Sequence, residues 1–398
     1  MFSDKSIQLT SELSLSDRKR EGVYFTPKNI VEHLLSEIKQ FGPRSRILEP
    51  SCGTGAFIDQ LDKWYSGSTI VGIEKNGTIF ESYELLNDPT CCGKRIHKSS
   101  DNNKIHILNE DFFDYTTNNY FNLIIGNPPF FVIPRRSIPP RFNSIVEGRP
   151  NIYILFILRS LELLYDDGLL VFVLPTNFLN CLYYNGVRER IVSEFSLLKI
   201  HDYGICDFMG TSQETCGIVI QKGGVQSKKR YYCMMNNNVI FCLNRCELTL
   251  LTKGATTLSN MGFKVSVGNV VWNQVKDKLT CDPEQTRLVY SGDILNNTLE
   301  MVSYKDPQKK NYICAEGETD PVLVVNRGYG RGKYRFNYCL VDPGHPFRIE
   351  NHLMCIRGPD YERVMRSFSD PRTERFVEVY FGNNAINTSE LANIFPIY

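Results

Sequence analysis

Apolar residues in the first half of the chain fall into short runs, and each run stops abruptly at a glycine, an asparagine, a proline or an acid. Ile47 and Leu48 lead into Glu49-Pro50-Ser51-Cys52-Gly53-Thr54-Gly55, and Phe57, Ile58 and Leu61 then repeat at helical spacing. The β-branched run Thr69-Ile70-Val71-Gly72-Ile73 stops at Glu74, and Ile105 to Leu108 stops at Asn109-Glu110-Asp111-Phe112. Phe121 to Gly126 closes on Asn127-Pro128-Pro129-Phe130. Runs of this length bounded by turn residues predict buried strands. Between and before them come helical stripes. Thr26-Pro27 reads as an N-cap with proline at the first helical position, followed by Ile30, Val31, Leu34, Leu35 and Ile38 on one face. A second helix is expected from Asn151 to Tyr165, ending at Asp166-Asp167-Gly168 and feeding the strand Leu169 to Leu174. Strands at 196–200 and 216–220 complete the series. Strands alternating with helices predict a doubly wound α/β sheet, mostly parallel. Residues 1–20 are polar and charged and read as a frayed tail. After residues 221–230 the alternation changes, and short β-like segments with turns and one or two helices follow. The expected layout is therefore a tail over 1–20, an α/β domain over 21–232 and an α+β domain over 233–398.

Candidate chemistry sits where the strands stop. Two prolines in a row fix φ and remove two backbone donors, so Asn127 to Phe130 forms a rigid loop of acceptors with an amide at one end and a ring at the other. Such a loop can grip a planar amino group while the ring stacks on the attached base, although a purely structural Pro-Pro turn would read the same. The upstream strands favour the first reading. Gly53 and Gly55 let a ligand approach the backbone, and the helix behind them offers free N–H groups and a positive dipole end. The third glycine of a dinucleotide fingerprint is missing, which speaks against NAD. Glu74 lies about 20 residues beyond the turn, at the offset suited to accepting both hydroxyls of a ribose. Asp111 could receive an adenine amino group, with Phe112 beside the ring. A solvated strand-end carboxylate would explain either acid alone; three strand ends in order point to a bound nucleoside.

These motifs together resemble the S-adenosylmethionine-dependent DNA adenine-N6 methyltransferases, in particular the gamma group, over residues from about 20 to 220. Gly22-Val23-Tyr24-Phe25-Thr26-Pro27 resembles the segment that closes over the methionine part of the cofactor, and Leu48 to Gly55 resembles the main cofactor loop. The resemblance implies a seven-stranded sheet and a C-terminal target-recognition domain. It assigns Tyr24, Thr26, Glu49, Pro50, Ser51, Gly53, Gly55, Glu74, Asp111 and Phe112 to the cofactor S-adenosyl-L-methionine, with Asn127 and Pro129 touching both substrates. Asn127, Pro128, Pro129 and Phe130 become the catalytic loop, in which relatives also carry Tyr at the last position. Phe208 is the candidate second ring against a flipped base; a core Phe at a strand corner is the alternative. The implied reaction needs no metal. The implied partner is double-stranded DNA, in a restriction-modification system whose cognate endonuclease acts separately.

In the second half, Phe263 to Asn273, which contains Trp272, resembles the opening of a recognition domain, and Tyr380 to Tyr398 resembles the C-terminal signature of type II modification enzymes. Arg327, Tyr329, Arg331, Lys333 and Arg335 alternate with glycines in a pattern that suits phosphates and guanine edges, or a basic solvated hairpin. Residues 131–150, with Arg135 and Arg136, read as a mobile loop able to meet phosphates. His345, Arg348, Asn351 and His352 form a further polar cluster. The net charge of +1 makes any DNA surface a local patch. Thirteen cysteines without paired metal spacing fit a reducing, intracellular compartment. No apolar stretch is long enough for a membrane span, no signal peptide is evident, and a monomer is expected. Competing readings are methyl transfer to RNA or to a protein glutamine, and a DNA-binding pseudoenzyme.

Overall fold

The computed structural model describes residues 2, 4–12, 14, 16, 18, 21–83, 86–87, 94–97, 102–205, 214–223, 230–328, 335–342, 344–382 and 385–398. The chain divides into two compact units: Met1–Met234 with Asn238–Leu243, and Met235–Asn237 with Asn244–Tyr398.

The first unit is built on one sheet. Its elements are helices α1 (Asp4–Glu12), α2 (Lys28–Ser36), α3 (Ala56–Trp64), α4 (Tyr153–Glu162) and α5 (Asn185–Glu194). Its strands are β1 (Arg46–Glu49), β2 (Thr69–Ile73), β3 (Lys104–Leu108), β4 (Phe121–Gly126), β5 (Leu164–Pro175), β6 (Phe195–Ile205) and β7 (Glu214–Lys222). They run in the order β3-β2-β1-β4-β5-β7-β6. The first five are parallel, and β7 lies antiparallel between β5 and β6. The expected seven strands are present, and a hairpin of Leu86–Asn87 and Lys94–His97 extends the sheet beyond β3 to nine.

Successive residues of a strand point to opposite faces, and the apolar runs are continuous because both faces are covered. Leu48, Ile124, Leu170 and Phe172 enter one core with α4 and α5, while Ile47, Leu123, Ile125 and Val171 enter the other with α2 and α3. The strand order reverses between β1 and β4, so the crevice beyond their carboxyl ends is where an open α/β sheet takes a ligand.

Several local expectations need correction. Helix α4 stops at Glu162, and Asp166-Asp167-Gly168 belongs to β5, where the pairing with β4 shifts register and Asp167 adopts φ +62°. Pro27 rather than Thr26 is the N-cap of α2, because Pro27 is itself extended (φ −61°, ψ 139°). The N-terminal segment contains a docked helix, α1, in place of a frayed tail. Residues 131–150 are packed, with Ile133, Ile138, Phe142 and Val146 buried in the core and turns at Arg135–Ser137 and Pro140–Phe142.

The second unit is α+β. One antiparallel sheet orders Lys264–Val267, Leu353–Arg357, Val322–Asn326 and Tyr338–Val341; a second joins Leu279–Thr280, Tyr312–Ile313, Thr286–Val289 and Phe347–Ile349. It holds more helix than expected: Arg245–Thr252, Tyr361–Phe368, Pro371–Phe376 running into a π-helical turn at Val377–Phe381, and Thr388–Asn393. Phe336, Phe368, Phe376 and Phe395 make its aromatic centre.

Candidate cofactor and catalytic site

A cavity of about 640 Å³ opens at the carboxyl ends of β1, β2, β3 and β4. Of the residues singled out in the sequence, Tyr24, Pro50, Ser51, Gly53, Glu74, Asp111, Phe112, Asn127 and Pro129 line it. Thr26, Glu49, Gly55 and Pro128 are buried outside that lining, and Phe130 is half-buried beside it. Sequence reasoning missed Glu21, Lys75, Asn76 and Glu110, which also line the wall. Their signal was adjacency: each flanks a strand-end or strap residue already identified.

The turn after β1 needs its glycines. Gly53 and Gly55 adopt φ +53° and +89°, where a Cβ would be strained. Gly55 caps α3 without a side-chain acceptor, and the Ile58 N–H of the first helical turn is taken by the Glu49 carboxyl. Glu74 holds the turn from below: its carboxylate accepts the Gly53 N–H (2.9 Å) and the Asn76 N–H (2.7 Å). Burial nevertheless pushes the Glu74 carboxyl up to about 7. Burial also lifts Glu49 well above the usual carboxylate range, helped by Asp59 and Glu74, and its Oε2 has no hydrogen-bond partner among the described residues. With Glu21, Glu74, Glu110 and Asp111 against Lys75, the wall is acidic and suits a cationic ligand. Asp111 divides its carboxylate between Lys75 (2.8 Å) and the Phe113 N–H (2.9 Å). Phe112 stacks on Phe156, with centroids 5.1 Å apart.

The loop after β4 is tied to both neighbours. Asn127 Nδ2 donates to the Tyr24 carbonyl (3.1 Å), and Ser51 Oγ donates to the Asn127 carbonyl (3.3 Å). A backbone carbonyl only accepts, so the amide orientation is fixed with nitrogen toward Tyr24. Asn127 Oδ1 is then left buried, without a partner among the described residues, in a residue that lines the cavity. Phe130 meets Tyr153 edge-to-face (5.8 Å, 85°), and the Tyr153 hydroxyl is anchored on Asn177 Oδ1 (3.1 Å). Gly22 (φ +65°) lies so close to this loop that a Cβ would fall 2.7 Å from the Phe130 nitrogen.

Phe208, Tyr329, Arg331 and Lys333 lie outside the described residues. Their neighbours Arg327 and Arg335 are held through the backbone: Arg327 N–H donates to His352 O (3.3 Å), and Arg335 O accepts from Asn326 Nδ2 (2.7 Å). Trp272 is flanked by Lys276 and Lys309, 5.5 and 5.8 Å from its centroid. The Arg135 guanidinium is engaged by the Val146 and Asn143 carbonyls, whereas Arg136 is exposed. The ten cysteines among the described residues are unbridged.

A parallel sheet reversing between β1 and β4, a glycine turn beyond β1 and an acidic cavity at the reversal are the arrangement in which an open α/β fold takes a ligand. Residues 60–208 match the model of the Eco57I restriction-modification methylase family. Over its full length the chain is similar to the type II methyltransferase M.CvrRI of Paramecium bursaria Chlorella virus XZ-6E, with 29% identity covering 100% of this chain and 99% of the relative. The modification methylase CviBIII of Paramecium bursaria Chlorella virus NC1A is 26% identical, covering 97% and 96%. Among solved structures, the cryoEM structure of the DrdV–DNA complex shares the fold, with a TM-score of 0.53 and 13% identity over 88% of this chain and 50% of that one.

Proposed function

We propose that this protein methylates N6 of an adenine in duplex DNA, at a specific site, as the modification enzyme of a restriction-modification system. The observation that carries the reading is the buried, unpartnered Oδ1 of Asn127, a residue that lines the cavity. An unsatisfied buried acceptor costs about 1–3 kcal/mol, and an amine hydrogen of the target base would relieve it.

When bound, S-adenosylmethionine supplies a methyl group made electrophilic by its sulfonium. Glu74 would accept its ribose hydroxyls and Asp111 its adenine amino group, while the acidic wall would favour its positive charge. The backbone at Gly53 leaves room for close approach. Asn127 Oδ1 and the Pro128 carbonyl would accept the two hydrogens of the base amine and stabilise the charge that develops on nitrogen during transfer. Pro129 stiffens this arrangement, and Tyr24 and Ser51 hold it by the contacts already described. The adenine must leave the duplex to reach these acceptors, at a cost of a few kcal/mol. Stacking on Phe130 would recover about 1–3 kcal/mol, and Phe208 would add a second ring.

The second unit would choose the site. Trp272 with Lys276 and Lys309, and the segment from Arg327 through Tyr329, Arg331 and Lys333 to Arg335, offer the cations and rings for that task. Arg136 is a further candidate phosphate contact, whereas Arg135 would first have to leave its carbonyls.

Transfer of labelled methyl groups to DNA, RNA and protein, followed by sequencing of methylated adenines, tests the reading. Methylated adenine at one sequence motif is expected; exclusive labelling of RNA or protein would overturn it. Asn127→Ala is expected to abolish transfer while leaving affinity for S-adenosylhomocysteine within a few-fold. Persistent transfer would remove Asn127 from the mechanism.

A further inference from the structure

Helix α1 reaches the cofactor turn directly. Ser6 Oγ and Thr54 Oγ1 are 2.7 Å apart across 48 residues of sequence, and the two residues are 1% and 6% exposed. Thr54 stands between Gly53 and Gly55, the two left-handed glycines of the turn. A turn with a glycine on each side of its middle residue has much backbone freedom to lose, so a buried hydroxyl contact at Thr54 restrains it where it is softest. One turn further along the helix, Leu9 is 3% exposed and packs with Val23, Phe25 and Ile79. Those three residues line the cavity, from the strap before α2 and from the short helix Gly77–Glu81 that follows Glu74. One helix therefore touches the glycine turn and two further walls of the same cavity. Glu21 and Asn76 join these walls a second time (2.7 Å).

The sequence of α1 gives it little reason to form alone. It has nine residues, and its other large apolar side chain, Ile7, is 52% exposed. A helix this short is marginal in water without tertiary contacts. Its order depends on the cavity walls, and the walls are held by it.

We infer that α1 is a working part of the cofactor site, with Ser6 and Leu9 acting as positioning residues that hold the glycine turn and the outer wall in the shape that binds the adenosyl ligand. The inference rests on the assignment of this cavity to the cofactor. Coupling of this kind is reciprocal: whatever α1 contributes to ligand affinity, the ligand returns to the docking of α1.

The test is S-adenosylhomocysteine binding by calorimetry, beside thermal unfolding of the ligand-free protein. The proteins are the full chain, a deletion of residues 2–13, Leu9→Asp, Ser6→Ala and Ser6→Thr. The deletion and Leu9→Asp are expected to weaken binding about tenfold or more, and Ser6→Ala about threefold to tenfold, as loss of one buried hydrogen bond implies. Ser6→Thr keeps the hydroxyl and should restore the affinity lost in Ser6→Ala. Ligand should also slow hydrogen exchange in residues 4–12 of the full chain. Affinity within twofold of the full chain in the deletion and in Ser6→Ala overturns the inference. If Leu9→Asp unfolds the protein, Ser6→Ala against Ser6→Thr decides: equal affinities reject the positioning role. A full chain that fails to bind S-adenosylhomocysteine would instead overturn the assignment of the cavity.

Discussion

Asn127 and Glu74 show how single residues are set by their surroundings. The Asn127 amide is oriented by a main-chain carbonyl at Tyr24 and its backbone by the Ser51 hydroxyl, so neither of its faces is left to chance. Glu74 is held the opposite way. Two backbone N–H groups support its carboxylate, yet burial raises its carboxyl to about 7. Between its unfolded value near 4.5 and 7 the folded protein keeps a proton that the unfolded chain has released. This group therefore lowers stability as pH rises through that window. If Glu74 takes the ribose as proposed, ligand binding reverses the preference, because ribose hydroxyls are donors and favour the carboxylate. Affinity for S-adenosylhomocysteine should accordingly weaken about tenfold from pH 8 to pH 6, with proton release on binding near neutrality. Calorimetry in buffers of different ionisation enthalpy measures both; a flat affinity profile would mean that Glu74 does not take the ribose. Glu74 itself was legible in the sequence, since a carboxylate closing a β-branched strand is visible as such. The link from Asn127 to Tyr24 was not, because a main-chain acceptor carries no side-chain signature.

At the scale of elements, the strap before α2 and the loop after β4 behave as one piece. Gly22 is the contact point: its φ of +65° and the 2.7 Å from a built Cβ to the Phe130 nitrogen leave alanine no place without moving backbone. Gly22→Ala should cost about 1–3 kcal/mol of stability, and it should slow the single-turnover methylation rate by more than tenfold. Thermal unfolding and rapid-quench kinetics check the pair; an unchanged single-turnover rate would show that the strap and the loop tolerate separation. Strands β1 to β4 were readable because continuous apolar runs ended in turn chemistry, which is how parallel strands buried on both faces look in sequence. The packing of residues 131–150 was hidden, since Ile133, Ile138, Phe142 and Val146 are scattered among prolines and arginines with no regular period. Helix α1 was hidden for a similar reason: a single buried leucine in a polar stretch does not make a stripe.

For the whole molecule, a formal charge of +1 leaves attraction to DNA to local clusters. Under the proposed function the pair Lys276 and Lys309 around Trp272 would be such a cluster, with Lys309 also 3.8 Å from the Tyr304 centroid and 4.2 Å from that of Tyr290. Replacing both lysines by alanine should weaken DNA binding about equally across sequences and lower the salt slope by about 2, one for each lost phosphate contact. Fluorescence titration at several salt concentrations measures the slope, and an unaltered slope would place the phosphates elsewhere. The change of rhythm after residue 230 was legible as a change of element type, but the helices at 361–393 were not, being short and mixed with turns. The Tyr24 carbonyl has one more consequence. Because the acceptor that orients Asn127 belongs to the backbone, no mutation of the Tyr24 side chain can delete it. The amide's setting is thereby insulated from sequence drift at its own support, and a lineage can exchange residues around the loop, or on the surface of the other unit, without first rebuilding it.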